Sequence, residues 1–365
     1  MKLATFNIEN LFHRDRKLME SALDSSRKQW IQEMDELMIK TPKTVGAIAR
    51  IRELAYLLGF ENITNKPYAL LSNKDGILFF KGCDYSERIK ATLINNWNGW
   101  LQLQTQAIPV VATSNKARVI SEINPDILVL QEVEDRISLE QFNKELLPKF
   151  QCAPYKDIQI IQNNIDHGLE TALLLREGYE LLHIKTHYQN PLIEFKILMP
   201  DTSVLHLLAI NFKKTTNEND VLDEKRAFFS LYLAKRYEAL IAEGNQHIVI
   251  AGSLGAPSYC YSVAPLIQKT SLKDITRHLS FEVILDQGVD EKYHRLGAYR
   301  KGVNIKQTDY MLLSPRLFEV LVDSGLNRKG MWPKHRPQFH HYKSIKNSTQ
   351  AASSHPLVWG KLKFH

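Results

Sequence analysis

The 365-residue chain has little cysteine, and what it has is scattered. Cys83, Cys152 and Cys260 lie far apart and follow no metal-ligand spacing. That excludes a disulfide-built scaffold and makes a reducing, cytoplasmic compartment the simplest expectation. There is no apolar run of about 18 residues, so no membrane-spanning helix is expected. The opening "KLATFNIENL" mixes polar residues into its apolar stretch and lacks a small-residue cleavage site, so it does not read as a signal peptide. Internal repeats and low-complexity linkers are missing too. Acidic residues stop early: none of the 40 Asp and Glu follows Asp323, whereas eight of the 47 Lys and Arg do. The first 323 residues are thus close to neutral, and the formal charge of +7 belongs to the C-terminal segment. Such asymmetry suits an anionic partner, and it also suits a solvated lysine-rich surface.

What is present is a chain with 44% hydrophobic residues, enough for a substantial core in one large domain or two ordinary ones. "LATFNI" alternates and breaks at Asn7. "DILVLQEV" is a continuous apolar run, as in a strand buried on both faces. "TALLLRE", "VLHLLAINF", "HIVIA", "DYMLL" and "LVWGKL" read as further strands. "NKARVISEINPD" reads as a helix closed before Pro125. "EKRAFFSLYLAKRYEALIAEG" reads as a helix stopped by Gly244, with Phe228, Leu231, Ala234, Leu240 and Ile241 on one face. The alternation predicts an α/β protein. Residues 13–106 differ: a helix over "KTVGAIARIRELAYLLGF" precedes hairpin-like strands. With too few strands for a core of its own, this stretch is expected to be an insertion in a single domain spanning 1–365.

Polar residues recur at strand ends: Asn7, Glu132, Asp309 and His355. A rigid sheet presents such side chains to a shared cleft. Singly, each has an ordinary explanation as a turn former, a helix N-terminal residue, a loop cap or a packed histidine.

Together, "TFNIENL", "PDILVLQEVE", "DYMLLSP" and "SSHPLVWGKL" resemble the endonuclease/exonuclease/phosphatase superfamily, which contains exonuclease III-like and DNase I-like enzymes. The resemblance runs essentially end to end, and a bacterial branch of similar length also carries an insertion after the first motif. It implies two sheets packed face to face with helices outside, a DNase I-like α/β sandwich. It implies metal-assisted hydrolysis of a phosphoester, with Mg²⁺ or Mn²⁺ neutralising phosphate charge. By resemblance, Glu132 is the main metal carboxylate and Asn7 helps hold the metal shell or a phosphate oxygen. Asp309 fixes the tautomer of His355, which contacts the scissile phosphate as acid or base.

The departures from the family are as informative as the matches. Its "GDxN" is "GSLG" here, with Ser253 and Gly255 in place of Asp and Asn. Its "SDH" is "SSH", with Ser354 in place of Asp. "INFKK" puts Asn211, a substrate-side position, where histidine is usual, and "DHG" at 166–168 replaces "DRG". A serine hydroxyl stays neutral at pH 7 and is a poor general base. Impaired catalysis is therefore expected, unless Asp166, Asp274 or Glu218 substitutes.

Three further features bear on ligands. The glycines of "AGSLGAP" suggest either an anion-binding nest of backbone N–H groups or only a turn. In "RKGMWPKHRPQFHHYKSIK", Arg328, Lys329, Lys334, Arg336, Lys343 and Lys346 interleave with Trp332, Phe339 and Tyr342. Cations that track phosphates and aromatic rings that stack on bases make this a candidate nucleic-acid contact. The alternative is a loop pinned to the core by its aromatics. His335, His340 and His341 raise zinc, but their spacing matches no strong pattern. The expected partner is an anionic ligand, a nucleic acid or a phosphorylated small molecule, acted on by an impaired hydrolase. The alternatives are an inactive nucleic-acid-binding or protein-interaction module.

Overall fold

A computed structural model describes residues 1–12, 25–39, 42–57, 69–73, 78–80, 99–103, 108–133, 136–161, 170–187, 190–212, 219–283, 307–333 and 339–364. The chain divides into two compact units. The first comprises Met1–Glu9, Pro109–Val133 and Glu140–His365; the second comprises Asn10–Ile108 and Glu134–Leu139.

In chain order the elements begin with β1 (Lys2–Asn7) of the first unit. The second unit follows with helices α1 (Ser25–Ile39) and α2 (Val45–Leu57), then β2 (Ala69–Asn73), β3 (Leu78–Phe80) and β4 (Gly99–Leu103). Its strands form an antiparallel sheet in the order β3-β2-β4. Met34 and Met38 on α1 and Ile51 and Leu54 on α2 are buried, and Arg50 pairs with Glu33 at 2.7 Å. The inserted stretch thus has a sheet of its own and forms a separate unit.

The first unit resumes with α3 (Val110–Ile123), β5 (Ile127–Val133), β6 (Asp157–Ile161), β7 (Glu170–Leu175), β8 (Glu180–Thr186), β9 (Leu192–Leu198) and β10 (Val204–Asn211). After these come α4 (Asn219–Ala242), β11 (Ile248–Ser253), β12 (Lys273–Asp274), β13 (Phe281–Glu282), β14 (Asp309–Leu313), β15 (Leu321–Asn327) and β16 (Leu357–Leu362). They form a seven-stranded sheet, β13-β15-β16-β1-β5-β7-β6, and a six-stranded sheet, β12-β14-β11-β10-β9-β8. The core lies between the sheets: Leu3, Ile127, Val129 and Leu173 meet Phe195, Leu207, Val249, Ala251 and Met311. The alternate residues of the second sheet, Leu208, Ile210, Ile250 and Leu312, face α4. Both faces of these strands are covered, which is why they read as continuous apolar runs rather than alternating ones. The result is a two-sheet α/β sandwich with flanking helices.

Helix ends follow their local chemistry. Asn124 closes α3 in the left-handed conformation (φ 49°), and Pro125 prevents continuation. Gly244 (φ 87°) plays that part after α4. The buried stripe of α4 is Phe229, Leu233, Ala234, Tyr237 and Leu240; of the face predicted from the sequence, Ala234 and Leu240 are buried, whereas Phe228 is 70% exposed and Leu231 and Ile241 are also exposed. Apolar residues are spread round the helix among Lys235, Arg236 and Glu238, so periodicity alone did not select the stripe.

Candidate active site

The pairing of the strands explains why residues distant in sequence meet. β1 runs parallel to β5, and β10 runs parallel to β11, so Asn7 pairs with Gln131 and Asn211 pairs with Ser253 at matching strand ends. β14 runs antiparallel to β11 and therefore starts there, with Asp309 opposite Ser253. β16 runs antiparallel to β1, placing the "SSH" loop next to the end of β1. Glycine lets the sheets approach: a Cβ on Gly252 (φ 133°) would stand 1.9 Å from Ile210 O and 3.2 Å from Gln131 Nε2. Gln131 belongs to the seven-stranded sheet and Gly252 to the six-stranded one.

Asp309 is buried, 6% exposed, and accepts from three side chains. His355 Nδ1 lies 2.8 Å from Oδ2, Thr308 Oγ1 donates to Oδ2 at 2.8 Å, and Ser253 Oγ donates to Oδ1. The His355–Asp309 contact crosses from one sheet to the other. Burial opposes both charges. It is outweighed by the mutual attraction of the pair, with Glu9 and Glu132 adding to the pull on the imidazole. His355 is raised to about 9, and Asp309 is held below its ordinary range.

Glu132 is buried, 1% exposed, and has a left-handed backbone (φ 61°) at an irregularity in the β5–β7 pairing between Leu130 and Val133. A bulge of this kind re-aims a side chain at a strand end. The Oδ1 atom of Asn211 is buried and accepts no hydrogen bond. Asn7 Oδ1 accepts from the Glu9 N–H at 3.3 Å.

Glu9 is the residue that sequence reading missed. Ser354 donates to it through N–H (2.8 Å) and Oγ (2.6 Å), and Ser353 Oγ, whose proton goes to Asn7 O at 2.7 Å, lies 3.2 Å away. Its Oε1 lies 4.0 Å from His355 Nε2. Burial acts to raise Glu9, but His355, the Ser354 hydrogen bonds and Lys116 hold it below the usual range. Lys116 is itself buried and donates to Ile8 O at 2.6 Å and to Ala352 O. The signal for Glu9 was its place two residues past Asn7, in the same motif.

The remaining sequence expectations divide. The backbone N–H groups of Leu254 and Gly255 both donate to Thr308 O, so the "GSLG" turn is not an anion nest. Gly255 (φ 69°) is a turn residue, and Arg226 donates to the neighbouring Leu254 O at 2.9 Å. Asp274 is buried, bonded by Gln307 Nε2 at 2.9 Å and by Thr276 N–H, and pushed up by burial. With Asp309 it lines a cavity of about 40 Å³, behind Asp309. Asp166 and Glu218 lie outside the described residues.

The basic segment differs from the expected contact surface. Arg328 is only 5% exposed, with its guanidinium 4.3 Å over Phe339, and Arg118 covers Tyr342 at 4.1 Å. Phe339 and Tyr342 are buried, so their faces do not offer base stacking: these two aromatics pin the segment to the core. Trp332 is half-buried and edge-on to His341, while Lys334, His335 and Arg336 lie outside the described residues.

Among the described residues, no three His, Cys, Asp or Glu side chains converge to cage a metal. Magnesium needs no cage; it takes one or two carboxylates and completes its shell with water. The buried Glu132 carboxylate and the unsatisfied Asn211 Oδ1 are hard oxygen donors that fit such an ion.

Neither a family model nor a curated protein matches this chain. Among solved structures it is similar to truncated Caenorhabditis elegans TDP2, with 17% identity, 68% of this chain and 90% of that one covered, and a TM-score of 0.45. Similarity extends to the mannosyl-6-phosphatase of Bacteroides thetaiotaomicron (12% identity, 70% and 92% covered, TM-score 0.44). It extends also to the human Nocturnin catalytic domain (12% identity, 68% and 87% covered, TM-score 0.42). Among the described residues, no helix is long and apolar enough to cross a membrane. Its two packed sheets with flanking helices form an α/β sandwich like the DNase I-like fold.

Proposed function

We propose that the chain binds a phosphorylated ligand at this strand-end cleft and hydrolyses its phosphoester slowly, as an impaired relative of the metal-dependent phosphodiesterases. The observation that carries the reading is the Asp309–His355 pair, in which a buried carboxylate of one sheet holds a half-buried imidazole beside the other. With its Nδ1 on Asp309, His355 directs Nε2 away from the pair toward Glu9, 4.0 Å off, and a value of about 9 keeps the ring protonated at neutral pH. It therefore acts as an acid, donating a proton toward a leaving oxygen or holding phosphate charge, and not as a base. Glu132, with Asn7 and Asn211, would hold Mg²⁺ or Mn²⁺, which when bound neutralises phosphate charge. Ser253 spends its hydroxyl on Asp309, Gly255 supplies only backbone, and Ser354 is neutral. No base remains at these positions, a loss of about 10²–10⁴-fold.

Hydrolysis of bis(p-nitrophenyl) phosphate and of single-stranded DNA, with Mg²⁺ or Mn²⁺ and with chelator, tests this. Slow metal-dependent turnover should fall at least about tenfold in His355→Ala and in Glu132→Ala. Turnover indifferent to both substitutions would place the chemistry elsewhere. The C-terminal charge asymmetry favours nucleic acid as the ligand. If DNA binds in a salt-sensitive way without turnover, and Trp332→Ala or Arg336→Ala weakens it, the chain is a binding module instead.

A further inference from the structure

Glu9 sits in surroundings that suit an anion rather than this particular side chain. The backbone N–H and the hydroxyl of Ser354 donate to its carboxylate, Ser353 Oγ lies 3.2 Å from it, and the His355 ring faces it at 4.0 Å. Charge-assisted donors of this kind receive phosphate oxygens as readily as carboxylate oxygens. The cradle is braced from behind. Lys116 bonds the carbonyls of Ile8 and Ala352, the residues immediately before Glu9 and Ser353. Ser353 Oγ also donates to Asn7 O at 2.7 Å, and His355 N–H donates to Ser353 Oγ at 3.1 Å, so the loop keeps its shape whether or not Glu9 is in place.

We propose that Ser353, Ser354 and His355 form a phosphate-binding position, and that the Glu9 carboxylate is its internal occupant, displaced when a ligand phosphate arrives. The proposal deepens the reading of the cleft as a phosphoester site and rests on it. Displacement needs only side-chain rotation, because the Glu9 backbone stays tied to Asn7 Oδ1 through its N–H. Partial exposure of the carboxylate, 27%, gives it solvent to swing into. While it is in place, His355 Nε2 faces Glu9 instead of a ligand.

The test is titration calorimetry with inorganic phosphate at pH 7, in chelator, on the wild-type chain, Glu9→Ala, Glu9→Gln and Glu9→Ala/Ser354→Ala. Removing a carboxylate about 4 Å from the bound anion should tighten phosphate binding about tenfold or more. Glu9→Ala should show the full gain. Glu9→Gln is isosteric and neutral; it should move the same way by less, and it serves if the alanine variant does not fold. The added Ser354→Ala change should reverse much of the gain. Equal phosphate affinity in the wild type and both Glu9 variants, or a gain that survives Ser354→Ala intact, overturns the proposal. The outcome is separable from hydrolysis: a Glu9→Ala protein that binds phosphate tightly but cleaves nothing keeps the binding position and removes the enzyme.

Discussion

Ser253 Oγ donates its hydrogen bond to the same buried Asp309 carboxylate that His355 engages through Nδ1. The serine is therefore part of the wiring of the pair, although it cannot act as a carboxylate. Ser253→Ala leaves a buried charged acceptor with one donor fewer, a cost of about 1.5–3 kcal/mol. It should also weaken the hold on His355. Urea unfolding checks the first effect, and a full contribution below about 0.5 kcal/mol would mean that the bond is not made in solution.

The pair also sets a pH dependence. Folding raises His355 from 6.5 to about 9, so its contribution is fully present below about 6.5 and is lost as pH rises through about 9. Asp309 is depressed from 3.8; its contribution is present above that value and lost as pH falls through the lower folded one. The stability owed to His355 is about 3 kcal/mol, to order of magnitude. Unfolding free energy should decline between pH 6.5 and 9 in the wild type, and the decline should be largely absent in His355→Gln. Parallel profiles for the two proteins would refute the assignment.

Restoring the family residues is not a matter of three independent substitutions. Gly255 (φ 69°) occupies the left-handed region that asparagine tolerates, and its Cβ would meet Phe212 O at 3.1 Å, a contact that a small shift relieves. Ser354→Asp is different, because Ser354 Oγ lies 2.6 Å from the Glu9 carboxylate and a second carboxylate there is repelled. The triple variant Ser253→Asp/Gly255→Asn/Ser354→Asp should thus gain less phosphodiesterase activity than the same triple with Glu9→Gln added. Kinetics on bis(p-nitrophenyl) phosphate decide it; equal activity of the two would show that position 9 does not oppose the restored acid.

The limits of sequence reading fall along physical lines. The positions of Asn7, Glu132, Asp309 and His355 at or beside strand ends were legible because each borders an apolar run, and a strand end in a layered α/β protein opens on a shared edge. Glu9 was not, because it lies in irregular backbone, left-handed at both Glu9 (φ 48°) and Asn10 (φ 68°), where polar residues usually mark only a turn. Lys116 reads as a solvent-facing helical lysine until the loop carbonyls it serves are in place. In the basic segment, composition could not separate a stacking surface from an anchor; the difference is whether an arginine or a base covers Phe339 and Tyr342, and here arginines do. Gly252 read from the sequence as part of a turn after "HIVIA"; it lies inside β11, and the reason for a glycine there is the Ile210 carbonyl.

That reason makes a sharp prediction. A Cβ at Gly252 would overlap Ile210 O at 1.9 Å and meet a backbone φ of 133° that L residues rarely adopt. Ile210 and Gly252 are paired neighbours at the site end of β10 and β11. Gly252→Ala should destabilise the first unit by about 4 kcal/mol or more, in the class of severe backbone strain. Thermal unfolding followed by circular dichroism tests it, and a midpoint unchanged within a degree or two contradicts the close approach.

The last prediction concerns what fastens α4 to the second sheet, away from the cleft. Glu194 on β9 accepts from Arg236 of α4 through Nε (2.5 Å) and Nη2 (2.8 Å), and its Oε1 lies 2.7 Å from His187 Nε2. His187 Nδ1 contacts Tyr232 Oη at 2.5 Å. Burial lowers His187 despite the adjacent carboxylate, so Arg236 is the charge that balances Glu194. Glu194→Ala leaves the partly buried Arg236 guanidinium with only Glu243, 3.4 Å away, and should cost about 3 kcal/mol. Replacing both members with apolar residues, Glu194→Leu/Arg236→Met, removes that uncompensated charge and should recover much of the loss. Denaturant unfolding of the singles and the double decides between them. If the double is as unstable as the sum of the singles, the pair acts only through packing. If all three unfold like the wild type, the network contributes nothing and α4 is held by Phe229, Leu233 and Tyr237 alone.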